Sequence, residues 1–204
     1  MAISRLISRL ISILLHPIFI PVISFYLSIR MVPNLDFTIA NYQNYILLIL
    51  IICTIMLPAL CMLFLIKFDV ISSLEMTKNQ DRPIPLILTG GCLILALKLT
   101  ESLLIFTPVL KKELVGAIII ILLASIISKF WKISLHMLGL GGLIGVLVSL
   151  QYLYGGLNSM IIYFMLIAGI TAMARIYLKA HNHKQIYAGF IVGFIIECVI
   201  ILLF

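Results

Sequence analysis

Long apolar runs alternate with short polar breaks along the chain, with runs near 10–30, 44–66, 84–106, 114–130, 136–154, 158–178 and 186–204. A bilayer core about 30 Å thick takes about 20 apolar residues of helix to cross. The fourth run is short and the first could lie partly in the interface, so the pattern predicts six or seven spans. Backbone amides need partners in hydrocarbon and no strand alternation is present, so the spans are expected to be helices. The resulting expectation is an all-α integral membrane protein: a bundle of six to seven transmembrane helices, residues 1–204 forming a single transmembrane domain.

Composition supports this reading. The chain is 64% apolar and 10% charged, against about half and a quarter in soluble domains. Mean hydropathy is +1.29. Cys53, Cys61, Cys92 and Cys198 all fall inside apolar runs without metal-type spacing, so neither disulfides nor a metal site is expected. Arg5 and Arg9 precede an apolar stretch, but no small-residue cleavage site follows "FIPVISFYLSIR", which favours a retained signal-anchor helix.

The net charge of +7 is unevenly placed. The N-terminus and the connections 67–83, 129–135 and 179–185 share one side, with Arg5, Arg9, Lys67, Lys78, Arg82, Lys129, Lys132, Arg175, Lys179 and Lys184 in or near them. Arg30, Lys111 and Lys112 belong to the opposite side, in or beside 31–43 and 107–113, and Lys98 lies within a span. The positive-inside rule makes the first side cytoplasmic. No nucleic-acid partner is expected.

Three segments of that side carry the unusual chemistry: "LEMTKNQDRPIP", "WKISLH" and "ARIYLKAHNHKQIYAG". Arg, Lys and His converging at one membrane face suit a phosphate ester on a lipid. The plainer explanation is a topology signal or contact with anionic headgroups.

Order and spacing favour the first explanation. "DRPIP", "ISLHMLG" and "ARIYLKAHNHKQIYAG", separated by pairs of spans, resemble the signature segments of the type 2 phosphatidic acid phosphatase family, membrane lipid phosphate phosphatases. The family pattern is Lys, six residues, Arg-Pro; then Pro-Ser-Gly-His; then Ser-Arg, five residues, His, three residues, Asp. Arg82-Pro83, Ser134 and His136, and Arg175 with His181 match it, and the resemblance covers residues 67–204.

The resemblance implies that His181 is the nucleophile forming a phosphohistidine and that His136 is the general acid for the leaving lipid alcohol. Arg82, Arg175 and Ser134 would hold the phosphate oxygens. It implies no metal and no cofactor. The substrate would be a lipid phosphomonoester or polyprenyl pyrophosphate, and the location a bacterial cytoplasmic membrane.

This chain is a divergent member by that comparison. Glu75 stands at the family's lysine position, with Lys78 nearby as a substitute; Ile133, Leu135 and Ala174 replace proline, glycine and serine. Gln185 replaces the aspartate that would orient the nucleophilic histidine. In the serine-protease triad the amide-for-carboxylate exchange lowers turnover by about 10⁴. The alternative is therefore an impaired relative that binds anionic lipid or a membrane-protein partner.

Glu75, Asp69 and Asp81 are candidate replacement carboxylates, set against a charge-balancing solvated loop. His183 competes with His181, which alone keeps the gap from Arg175. His16, beside Pro17, is expected to be a hydrogen-bonded packing residue. Lys98 and Glu101 share a helix face and can pair. Glu197 has no sequence-level partner. "GLGGLIG", Gly139–Gly145, lacks the strand of a dinucleotide loop and instead suggests close helix approach. A small transporter is the weakest alternative, because no internal repeat is evident.

Overall fold

The first apolar run does not form one helix. In the computed structural model, which describes residues 2–32, 39–73, 76, 78–105 and 107–204, α1 (Ala2–Leu14) stops short of His16. Pro17 has no N–H and pushes the preceding residue toward extended backbone, and His16 sits at φ −62°, ψ 135°. His16 Nδ1 accepts the Ile18 N–H at 3.3 Å, capping a 3₁₀ turn (Pro17–Phe19) that leads into α2 (Ile20–Met31). At about 1.5 Å per residue α1 is too short to cross a bilayer alone. Its Ser8 and Ser12 are buried, while Ile3, Leu6, Ile7 and Leu10 are exposed.

The second run is one continuous helical stretch with a local irregularity. α3 (Gln43–Ile51) passes through a π-helical turn (Ile52–Met56) into α4 (Leu57–Lys67). Pro58 lacks the N–H that would bond the Thr54 carbonyl, and the Leu57 N–H reaches back five residues to Ile52. After a 3₁₀ turn (Asn79–Asp81) come α5 (Pro83–Thr100), α6 (Pro108–Ser128), α7 (Leu135–Tyr154), α8 (Asn158–Tyr177) and α9 (His183–Leu203). Pro83 and Pro108 open their helices, where a missing N–H is harmless. No strand occurs among the described residues.

Among the described residues, six stretches are long and apolar enough to span a membrane: Ile3–Met31, Gln43–Lys67, Asn79–Thr100, Leu135–Tyr154, Asn158–Tyr177 and His183–Leu203. The protein is an all-α integral membrane protein. α6 is equally long but begins earlier than the apolar run beginning near residue 114, taking Lys111, Lys112 and Glu113 into its opening turns. Glu113, placed by the sequence pattern in a connection, is instead buried in the bundle, and its Oε2 accepts the Ser28 hydroxyl at 2.8 Å. Lys111 pairs with Glu101 at 2.8 Å, closer than the anticipated Lys98–Glu101 contact at 3.7 Å.

α7 is the most deeply buried helix and packs most extensively against α9. Small residues permit this: Gly141 and Gly145 on α7 and Gly189 and Gly193 on α9 recur at four-residue spacing on the contact faces. A Cβ on Gly145 would lie 2.7 Å from the Phe194 carbonyl oxygen, and one on Gly189 would lie 2.7 Å from that of Ser134. The contact thus sets the height of α9 against the start of α7, where the candidate site lies.

Candidate functional site

Arg82 stands immediately before α5 and is 4% exposed. Its Nη1 donates to the Ile133 carbonyl at 3.0 Å, whereas its buried Nε has no hydrogen-bond partner. No carboxylate among the described residues lies within ion-pairing distance of Arg82. The adjacent Asp81 is turned toward the Ser72 hydroxyl and accepts the Ser72 N–H at 3.3 Å. A buried cation without a carboxylate is unfavourable unless an anion joins it.

The segment before α7 joins the other two. Beyond the Ile133 carbonyl held by Arg82, the Ser134 N–H donates to the Gln185 carbonyl at 3.3 Å. Ser134 is completely buried and its hydroxyl has no partner. Arg82, Ile133, Ser134 and Gln185 therefore form one linked path through the three segments singled out in the sequence.

The third segment is shaped by a helix ending and a helix start. α8 closes with Ala180 N–H on the Arg175 carbonyl (3.1 Å) and Lys179 N–H on the Ile176 carbonyl (2.8 Å), a Schellman arrangement. Lys179 takes the left-handed position at φ 53°, where glycine is usual. The turned chain then presents His181, 8% exposed, just before Asn182 caps α9.

Gln185 closes that cap and fixes the histidine. The Asn182 side chain accepts the Gln185 N–H at 3.0 Å, and the Asn182 N–H donates to Gln185 Oε1 at 3.2 Å, a capping box. Because a backbone N–H only donates, the amide atom facing it is the carbonyl oxygen. The same oxygen lies 3.1 Å from His181 Nδ1, so Nδ1 carries the hydrogen and Nε2 keeps its lone pair. Burial, then the charge of Arg175, with smaller contributions from Arg82 and Lys132, pushes the His181 imidazole down to about 4, against a partial upward pull from Gln185. His181 is neutral at pH 7.

His136, 8% exposed, is held by the N-terminal region. Its Nε2 lies 2.9 Å from the Ser12 carbonyl, which only accepts, so Nε2 carries the hydrogen. The His16 ring meets His136 edge to face, with centroids 5.6 Å apart. Arg175 is close enough to act electrostatically on His16, Arg82, His136 and His181.

The structure thus brings together Arg82, Ser134, His136, Arg175, His181 and Gln185. Lys78 is exposed at the start of the 3₁₀ turn before Arg82 and is not joined to this cluster. His183 is exposed and stacked on Tyr187, centroids 6.5 Å apart. Asp69 is exposed, Asp81 is engaged by Ser72, and Glu75 lies outside the described residues. His16 is hydrogen-bonded to the Ile18 N–H and packs at the site, beside His136. Its signal was the proline that breaks the run. The Ser12 carbonyl had none, since any residue supplies one.

Among the described residues no group of three or more His, Cys, Asp or Glu is placed to hold a metal. The arrangement provides a neutral imidazole with a free nitrogen, surrounded by cations and buried donors. It suits an anion that presents an electrophilic centre to Nε2. No family model, curated protein or solved structure matches the chain.

Proposed function

We propose that the protein is a metal-independent lipid phosphate phosphatase of the type 2 phosphatidic acid phosphatase kind, acting on a lipid phosphomonoester or polyprenyl pyrophosphate in a bacterial cytoplasmic membrane. The observation that carries this reading is the His181 tautomer: Gln185 accepts from Nδ1, leaving Nε2 as a nucleophile near Arg82, whose buried Nε has no hydrogen-bond partner.

In this reading the Nε2 lone pair attacks phosphorus as the bond to the lipid oxygen breaks, giving an Nε2-phosphohistidine and the lipid alcohol or phosphate. With Nε2–H held by Ser12, His136 takes up a second proton on Nδ1 as the phosphate anion binds, and this proton passes to the departing oxygen. Water then attacks phosphorus, His136 takes back a proton, and inorganic phosphate leaves with His181 restored. Arg82, Arg175 and the Ser134 hydroxyl neutralise the charge on the non-bridging oxygens.

The test is phosphate release from phosphatidate, phosphatidylglycerophosphate and polyprenyl pyrophosphate in detergent with a chelator present. Wild type should release phosphate from at least one substrate and His181→Ala from none. Equal background rates for both across the panel would remove the enzymatic reading. The neutral Gln185 favours one second reading, a relative that binds anionic lipid without turnover. It predicts saturable binding that requires Arg82, with no phosphohistidine formed.

A further inference from the structure

A cavity of about 420 Å³ runs through the bundle from His16 at the site face to Glu113 and Glu197. This size falls within the roughly 300–1,000 Å³ of ligand pockets. Ala59 and Leu63 line it and are also exposed on the outer surface, so it is open along α4. Its walls are almost entirely apolar, yet its deep end holds polar atoms without hydrogen-bond partners, even though the other Glu113 oxygen accepts the Ser28 hydroxyl. Glu113 Oε1, Glu197 Oε2, Ser24 Oγ and Thr54 Oγ1 are all buried without partners.

These four residues come from separate elements, and each is at least nine-tenths buried: Ser24 is 5% exposed, Thr54 2%, Glu113 4% and Glu197 3%. The carboxyls of Glu113 and Glu197 are close enough to interact electrostatically. Ser24 lies near Glu113 without completing a hydrogen bond. Glycine makes room for the pair, because any Cβ on Gly116 would strike the Glu197 carboxylate. Thr54 faces the cavity from the π-helical turn that Pro58 produces, a helix irregularity frequent at functional positions.

The nearby cations do not fill this role. Lys111 is bound to Glu101, and Lys112 donates to the Ile201 carbonyl at 3.1 Å. His16 lines the opposite end. Buried acceptors without donors are unfavourable in a low-dielectric interior, and two carboxyls sharing one pocket attract a cation. A primary ammonium group offers three N–H donors, one for each carboxyl and one for a hydroxyl.

We propose that this cavity is a second binding site, distinct from the arginine–histidine cluster, for a long-chain primary amine. Its ammonium group sits between Glu113 and Glu197, with Ser24 and Thr54 beside it, and its alkyl chain lies along the apolar walls toward α4.

The experiment measures thermal unfolding of the full chain in neutral detergent at pH 7 with dodecylamine, dodecyltrimethylammonium or dodecanol. Dodecylamine should raise the midpoint in a saturable, concentration-dependent way, and the other two should raise it much less. Glu113→Gln and Glu197→Gln should each weaken the apparent affinity for dodecylamine about tenfold or more. His181→Ala should retain wild-type affinity, which separates this site from the proposed phosphatase. Equal protection by dodecanol or by dodecyltrimethylammonium would overturn the proposal, as would unchanged affinity in both Gln variants. If those variants do not fold, the three-ligand comparison on wild type decides alone.

Discussion

His181 Nδ1 and Gln185 Oε1 lie 3.1 Å apart, and that oxygen is oriented by the Asn182 N–H, which it accepts at 3.2 Å. The glutamine therefore performs the positional part of an orienting carboxylate, holding one tautomer, without supplying charge. An imidazole that becomes positive as it attacks phosphorus gains stabilisation from a negative neighbour. Gln185→Glu keeps the side-chain length and the capping box while adding that charge. It should raise kcat on the lipid substrate by about 10²-fold or more, whereas Gln185→Met should lower it. A Glu variant no faster than wild type would show that the missing charge does not limit this site.

The depressed pKa of His181 gives a defined pH window. The unfolded chain binds this proton near the ordinary value of 6.5, while the folded protein binds it only near 4. Between these values the unfolded state holds more protons, so stability is complete above pH 6.5 and falls as pH drops toward 4. His181→Asn should flatten that part of the stability profile, measured as unfolding midpoint against pH in detergent. A wild-type profile of the same slope as the variant would rule out a depressed His181. Nitrogen NMR of labelled histidine should show the Nδ1–H tautomer persisting well below pH 6.5.

In the proposed phosphatase, Arg82 sets turnover against stability. Removing its buried charge relieves a penalty of several kcal/mol, while the abandoned Ile133 carbonyl loses about 1–3 kcal/mol. Arg82→Met should therefore leave stability near wild type or raise it by about 1 kcal/mol, and abolish turnover. Inorganic vanadate should raise the wild-type unfolding midpoint and leave that of Arg82→Met unmoved. Arg82→Lys should recover charge but not the planar fork, with kcat/KM about tenfold or more below wild type. Equal vanadate protection of Arg82→Met would exclude Arg82 from the anion site.

The spans were legible because hydrocarbon demands about 20 apolar residues per helix, a signal carried by every residue in the run. The linked segments were legible for a different reason: Arg82, Ser134, His136, Arg175 and His181 are side chains whose spacing follows the helix ends. Helix starts set by proline were less visible. Pro108 draws Lys111, Lys112 and Glu113 into α6, and Pro17 breaks the first run so that His16 meets His136. The Ser12 carbonyl on His136 and the Glu113–Glu197 pair depend on packing between helices far apart in sequence, which no local pattern encodes.

Glycine placement on α9 provides a paired test of whether helix packing holds the site. Gly189 has no space for a methyl group, since its Cβ would fall 2.7 Å from the Ser134 carbonyl oxygen, a backbone atom that already accepts the Leu138 N–H at 2.9 Å. Gly169 on α8 has nothing within 4 Å of its added Cβ. Gly189→Ala should destabilise the protein by about 1–3 kcal/mol, the usual effect of overpacking. It should also lower kcat, because Ser134 must move away from α9 and its N–H bond to Gln185 lengthens. Gly169→Ala should be neutral or stabilising by up to about 1 kcal/mol, with kcat unchanged. Both quantities can be read from the same purified variants, by thermal unfolding and phosphate release. If the two substitutions behave alike, the α7–α9 contact does not position the candidate catalytic segment, and the link from Gly189 through Ser134 to Gln185 must be abandoned.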